Sequence, residues 1–307
     1  MYYLPKITCI YVISLTLVFA GCSSVTRSQS AKEVQNGLRL VIEVQTTPSV
    51  PKVSEKDLAA VKRVVENRIQ RMGISPATVK IQGENQILLL LSGVKDSKQV
   101  TRVLVGGGKL EMKEQKIGTE NQFSSLLANG SQLIEEQDKL RKNPSLNRNA
   151  IAKNTQALQK NNLAISQVFK TTNPPLTSNN IKDAFSQKQT QDDFLRTVIP
   201  QSNQPIQGND KWEIAIKFDE QGSRTFAQLT KSLAGTGRGI GIFIDDKLIS
   251  HPVVGVEYAK NGITGGSAVI TGNFTAEKAK NIALQLPTGT LPLPLKMIES
   301  TSIKPVK

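Results

Sequence analysis

The chain predicts an α+β fold: a ferredoxin-like β-α-β-β-α-β base, a second α+β head-like domain, and a helical polar insertion between them. Three observations carry this. Strand and helix periodicities alternate in that order between residues 37 and 117, a second alternating block fills 210–303, and the stretch between them changes composition.

In the first block, Leu38, Leu40, Ile42 and Val44 alternate with Arg39, Val41 and Glu43, a strand pattern. Ser54 with Asp57 three residues on forms a capping box. The helix it opens carries Leu58, Val61, Val65, Ile69 and Met72 on one face and stops at Gly73. Thr78 to Gln82 and Gln86 to Leu91 read as a hairpin about Gly83-Glu84-Asn85. Asp96 with Gln99 starts a second helix that ends at Gly106-Gly107-Gly108, and Lys109 to Ile117 returns as the fourth strand of the base.

Residues 120–205 hold 23 Asn and Gln among 86 positions and a single glycine. Leu133, Ile134, Gln137 and Leu140 mark one helix; Ile151, Leu158, Ile165 and Phe169 mark another, and Asn173-Pro174-Pro175 breaks the pattern. The expectation is a solvated helical insertion or linker. In the last block Trp212 to Phe218 is a strand, and a helix with Phe226, Leu229 and Leu233 inward ends in Gly235-Thr-Gly237-Arg-Gly239. Ile240 to Ile244 and Leu248 to Ile249 form a hairpin about Asp245-Asp246-Lys247. Val253 to Val256 and Ala268 to Thr271 are further strands, and Thr275 starts a last helix. Leu291 to Ile298, interrupted by Pro292 and Pro294, reads as an edge strand. The expected boundaries are 37–119 for the base, 120–209 for the insertion and 210–307 for the head.

The 307 residues carry 38% hydrophobic and 21% charged side chains and a formal charge of +14. The basic excess is spread along the chain without a Lys/Arg run, which disfavours nucleic acid as a partner and leaves anionic lipid as one. Both cysteines, Cys9 and Cys22, lie in the first 22 residues, and His251 is the one histidine. A disulfide framework, a Cys/His metal cluster and Cys–His catalysis are thereby excluded from the folded part, and no cofactor is implied.

The start reads as a signal peptide over 1–21: Lys6, the apolar run Ile7 to Ala20, then Gly21-Cys22-Ser23-Ser24. That run is shorter than the roughly 20 residues a bilayer span needs. Phe19-Ala20-Gly21-Cys22 resembles the bacterial lipobox, whose cysteine is lipid-modified after cleavage, so Cys22 is the expected lipidation residue and 22–36 a tether. The expected place is extracytoplasmic, held to the plasma membrane or the outer membrane by lipid.

Other constellations read as structure. Gly235, Gly237, Gly239 and Gly241 follow a helix and precede a strand, the reverse of a phosphate-binding loop. Asp245-Asp246 fits a turn better than a cation site. Nothing assembles a nucleophile, a base and an oxyanion hole, so the chain reads as a non-enzyme. A hydrolase acting through His251 or Asp245 is the weakest alternative.

Seven stretches, in order, resemble the large periplasmic domain of SecD, the accessory subunit of the bacterial protein-export channel. Val64-Val-Glu-Asn67-Arg68-Ile-Gln-Arg-Met-Gly73-Ile-Ser-Pro is similar to the family's "NRV…GVSEP", Gln82-Gly-Glu-Asn-Gln-Ile87 to "QGENRI", and Leu91-Ser-Gly93-Val94-Lys-Asp96 to "LPGVKD". Phe218-Asp-Glu-Gln-Gly222, Ile242-Phe-Ile-Asp245 through Ile249-Ser250-His-Pro252, Ile270-Thr271-Gly272-Asn-Phe274-Thr275 and Gly289-Thr-Leu291-Pro292-Leu-Pro294-Leu295 supply the other four. Ser92, Asp246 and His251 depart from the family's Pro, Gly and Ala. No segment after Cys22 reaches the length of an apolar span, so the expectation is a SecD-like fold without SecD's proton-coupling membrane helices.

The resemblance implies a module that assists export by binding unfolded secreted polypeptide or Sec export-channel subunits. Gly237, Gly239 and Phe243 at the glycine turn, and Leu291, Leu293 and Leu295 at the edge strand, are the candidate polypeptide-binding residues. The alternative is a structural or scaffolding envelope lipoprotein that keeps the fold without an export role.

Overall fold

The computed structural model describes residues 37–189 and 211–303. Cys22, the expected signal peptide and the expected tether lie outside the described residues. The elements run β1 (Gly37–Val44), α1 (Glu55–Arg71), β2 (Ala77–Gln82), β3 (Gln86–Ser92), α2 (Ser97–Val105), β4 (Leu110–Gln115), α3 (Glu120–Leu140), α4 (Arg148–Gln167), β5 (Phe169–Thr177), β6 (Ile181–Lys188), β7 (Trp212–Phe218), α5 (Glu220–Leu233), β8 (Ile240–Ile244), β9 (Lys247–Ser250), β10 (Ser267–Phe274), α6 (Ala276–Gln285) and β11 (Leu295–Ile303). Three sheets result, ordered β11-β1-β3-β2, β10-β7-β6 and β5-β4-β8-β9, which makes the fold α+β.

The helix starts are set by local chemistry. Ser54 Oγ accepts from the Asp57 N–H while Asp57 accepts from the Ser54 N–H, satisfying two otherwise orphaned donors at the start of α1. The side chains of Asp96, Asp219 and Thr275 each accept from one backbone N–H in the first turn of α2, α5 and α6. Asp245 and Asp246 both take positive φ, 50° and 63°, giving the two-residue turn whose twist suits a β-hairpin.

The base sheet has the antiparallel ferredoxin-like order, but its fourth strand is not the one the sequence suggests. β11 pairs with β1 (Val44↔Leu295, Ile42↔Met297) and fills that place. β4 instead pairs with β5 and β8. The alternation of Leu110 and Met112 specifies a strand with a buried face and does not specify which core receives that face. Here both side chains, 1% exposed, enter the head core with Ile214, Ile216, Ile242 and Leu233. The redirection occurs at Gly106–Gly108, where Gly108 has φ +70° and a Cβ on Gly107 would lie 2.3 Å from Asp245 Oδ1.

The middle stretch is not solely helical. After the α3–α4 hairpin it contributes β5 to one sheet and β6 to another. The Asn173-Pro174-Pro175 interruption is absorbed by a break in register: Lys113 faces Thr171 while the residue before it, Met112, faces Leu176. The prolines bulge out of the ladder, where their missing N–H groups cost nothing. Residues 253–256 are not a strand either; Val253 makes one isolated bridge to Gly239, and Val256–Tyr258 is a 3-10 turn.

The base core lies between its sheet and α1 and α2, built from Leu40, Ile42, Ile87, Leu89, Val61 and Val65. A smaller cluster, Phe123, Ile165, Val168, Phe169 and Phe243, seats the helical hairpin on the head.

Candidate functional site

The site forms at the end of the head where α5 stops. Leu233 is fully buried, and the chain then turns through Gly235 and Gly237, at φ +70° and +75°. Such backbone suits glycine, which lets the chain turn tightly at both positions. The Gly235 N–H donates to the Val254 carbonyl at 3.0 Å and Ile240 N–H to the Pro252 carbonyl at 2.8 Å, laying residues 252–256 beside the turn.

This pairing displays apolar groups. Val253 is 50% exposed, Val256 71% and Tyr258 38%, and Val256 lies against Gly235, whose Cβ position would be 3.1 Å from Val256 Cγ2. The Gln115 N–H donates to the Gly239 carbonyl, so β4 also ends at this turn, and exposed Ile117 follows two residues later.

Beneath the turn is a polar node. Gln115, 2% exposed, accepts at Oε1 from the Gly239 N–H (3.0 Å) and from His251 Nε2 (2.9 Å). An amide oxygen only accepts, so the imidazole carries its proton on Nε2. The ring packs on Phe123 at 4.4 Å between centroids and on Phe169 at 5.9 Å. Burial holds its pKa below the usual imidazole value. Arg238, 8% exposed, donates to Glu114 Oε1 and to the Gln115 carbonyl, both at 2.9 Å. The node braces the turn through these hydrogen bonds. Among the described residues no group of three His, Cys, Asp or Glu side chains could hold a metal ion.

The residues singled out from the sequence fall into two groups. Gly237 is exposed at the turn. Gly239 is buried, and a Cβ there would lie 2.3 Å from His251 Nε2, so glycine lets the ring lie on the backbone. Phe243, 1% exposed, packs edge-on to Phe169 with centroids 5.3 Å apart and anchors the helical hairpin rather than facing solvent. Leu291 and Leu293, 8% and 3% exposed, and half-buried Leu295 pack into the base core. The extended strand starts only at Leu295, so the 291–294 segment is a plug for that core and not an exposed edge.

Val253, Val256, Tyr258 and Ile117 are the surface residues that reading by pattern did not select. Val253 and Val256, three residues apart and following His251-Pro252, were the available signal.

Comparison with known proteins agrees with this architecture. The family model for the SecDF P1 head subdomain matches residues 153–293, and that for the N-terminal part of the P1 domain of protein translocase subunit SecDF matches 58–116. Protein translocase subunit SecD of Synechocystis sp. is 38% identical over 277 residues, covering 90% of this chain and 55% of that protein. SecD of Prochlorococcus marinus is 31% identical over 290 residues, covering 90% and 58%. The chain thus spans a little over half the length of these relatives. The solved structure "Structure and function of a membrane component SecDF that enhances protein export" matches with a TM-score of 0.54 and 26% identity, covering 86% of this chain and 100% of the other. "Crystal structure of SecDF in Super-membrane-facing form" matches at 0.56 and 25%, covering 88% and 30%. Both family models in chain order, the identities across nine-tenths of the chain and the shared fold agree that this chain belongs to the SecD family, through that family's P1 region.

Proposed function

We propose that the protein is a non-catalytic, extracytoplasmic module, anchored by lipid at Cys22, that assists protein export by holding translocating polypeptide at the Gly235–Gly239 turn. One observation carries the reading: Val253, Val256, Tyr258 and Ile117 stay exposed around a glycine turn tied down by hydrogen bonds to Gln115. Such a surface offers apolar contact without demanding a sequence, which suits a client that passes through in many registers. The relatives' role as protein translocase subunits, and a SecDF membrane component that enhances protein export, point the same way. No helix among the described residues is long and apolar enough to cross a membrane, so this part acts beside the bilayer.

The test is binding of a reduced, alkylated and permanently unfolded polypeptide to the full chain. Val256→Asp with Tyr258→Asp weakens binding roughly tenfold, since hot spots concentrate in a few large side chains. Equal binding by the variant discards the turn as the site. Photocrosslinking from position 256 in cells then separates the roles. Capture of nascent exported chains or Sec channel subunits supports export; capture of envelope structural proteins alone supports the scaffold reading. Cys22→Ala releases the protein from the membrane fraction if the lipid is its anchor.

A further inference from the structure

The helical hairpin ends in a surface that the export reading does not use. α3 stops at Leu140, and the loop 141–147 leads into α4. The loop is held in a defined shape: Asn147 Nδ2 donates to the Leu140 carbonyl (2.9 Å), the Asn147 N–H to the Asn143 carbonyl (3.2 Å) and the Arg141 N–H to the Gln137 carbonyl (3.0 Å). At its apex Leu146 is 85% exposed. Around it stand Arg141, Lys142 and Arg148, all exposed and without a carboxylate partner among the described residues, whereas nearby Lys139 is engaged by Glu135 at 2.7 Å. A hydrogen-bonded loop that exposes a leucine within five residues of three unpaired cations suits an environment both apolar and anionic.

We infer that the α3–α4 tip is a docking point for an anionic phospholipid surface, with Leu146 entering the headgroup–acyl boundary and Arg141, Lys142 and Arg148 meeting phosphates. The shape favours lipid over a protein partner. Residues 141–146 are exposed throughout, so the tip is convex and offers no groove. A stable protein interface needs about 800 Å² on each side, more than a bare loop apex presents. A bilayer needs only a side chain to bury and charges to neutralise, each cation contributing about a fivefold gain in binding near an anionic leaflet. Membrane contact at this tip would hold the hairpin, and the head it is seated on, toward the bilayer.

The test uses the full chain carrying Trp212→Phe and Leu146→Trp, so that position 146 supplies the fluorescence. Vesicles of phosphatidylcholine alone are compared with vesicles containing about a third phosphatidylglycerol, each with brominated acyl chains as quenchers. The expected result is a blue-shifted, quenched emission with the anionic vesicles only, reversed by high salt. Arg141→Gln, Lys142→Gln and Arg148→Gln together reduce the vesicle affinity of the tip about a hundredfold. Identical emission in both vesicle types overturns the inference. A shift produced by a polyglutamate chain and not by vesicles overturns it in favour of an acidic protein partner. Val256→Asp leaves the vesicle response unchanged, which keeps this test separate from that of the polypeptide site.

Discussion

In the base, Leu40, Ile42, Ile87 and Leu89 are fully buried between sheet and helices. In the hairpin, beyond Phe123 and Ile165 where it packs on the head, the buried groups are Asn154 and Asn161, each 4% exposed and seven residues apart. Asn154 Nδ2 donates to the Leu133 carbonyl and to Glu136 Oε2, both at 3.1 Å. Asn161 Nδ2 donates to the Leu126 carbonyl at 3.1 Å, and Asn161 Oδ1 accepts from Asn129 at 2.9 Å. Each buried leucine contributes about 1.5–3 kcal/mol by leaving water, whereas each hydrogen bond nets about 0.5–1.5 kcal/mol. The base therefore gains stability from its seam, while the hairpin gains mainly register. Such a seam sets register where donors meet acceptors, as at Asn161, while Asn154 Oδ1 is buried without a partner among the described residues; Gly130 leaves the room that Asn161 occupies, its Cβ position lying 2.9 Å from Asn161 Nδ2.

The base also contains one buried charge, and removing it is the strongest way to break the contrast. Arg68, 0% exposed, donates to the Val103 and Leu104 carbonyls at 2.9 Å, to those of Gly106 and Gly107, and to Thr288 Oγ1. It satisfies the C-terminal carbonyls of α2 and fixes the glycine turn that sends β4 to the head. Burial pushes its pKa down to about 10, with Asp245 opposing the fall. Arg68→Leu strands those carbonyls and costs about 3–5 kcal/mol, measured by urea unfolding. A loss under 1 kcal/mol would show that the turn holds without it.

The hairpin responds differently. Asn161→Leu removes two hydrogen bonds and adds apolar contact, so global stability changes by less than about 1 kcal/mol. Its effect appears as faster amide exchange in α3 and α4 alone, because the register constraint is loosened. A loss as large as that from Arg68→Leu would make the polar seam a stabilising core and erase the distinction.

What could be read from the sequence follows from what periodicity encodes. Local features were visible: the Ser54 and Asp96 caps, the Gly83-Glu84-Asn85 and Asp245-Asp246 turns, and the buried face of α1. Partner choice was not, because Leu110 and Met112 would look the same facing either core. β5 was hidden because its alternation is interrupted by a bulge of two prolines. At the site, glycines 237 and 239 marked the turn correctly, but apolar character alone could not tell exposed Val256 from buried Phe243 or Leu293. Arg68 had a usable signal: three residues after Val65 and seven after Val61, it stands on the apolar face of α1, where a charge needs a reason.

The smallest expected effect lies where the hairpin meets the head, and it depends on pH. His251 joins the two through Phe123, Phe169 and Gln115, and burial lowers its pKa from 6.5. Lys113, Lys116, Lys170 and Arg238 are the cations on the elements around it, with Glu114 between Lys170 and Arg238. A lowered folded-state pKa means the unfolded chain binds the proton more readily. The contribution is therefore complete above pH 6.5 and declines as pH falls from there through the folded-state value. Thermal unfolding between pH 7.5 and 5 should show this decline, and His251→Gln, which cannot be protonated, should flatten that part of the profile. If the variant loses stability on acidification as steeply as the parent chain, the imidazole is not the group that titrates, and the junction rests on the phenylalanines alone.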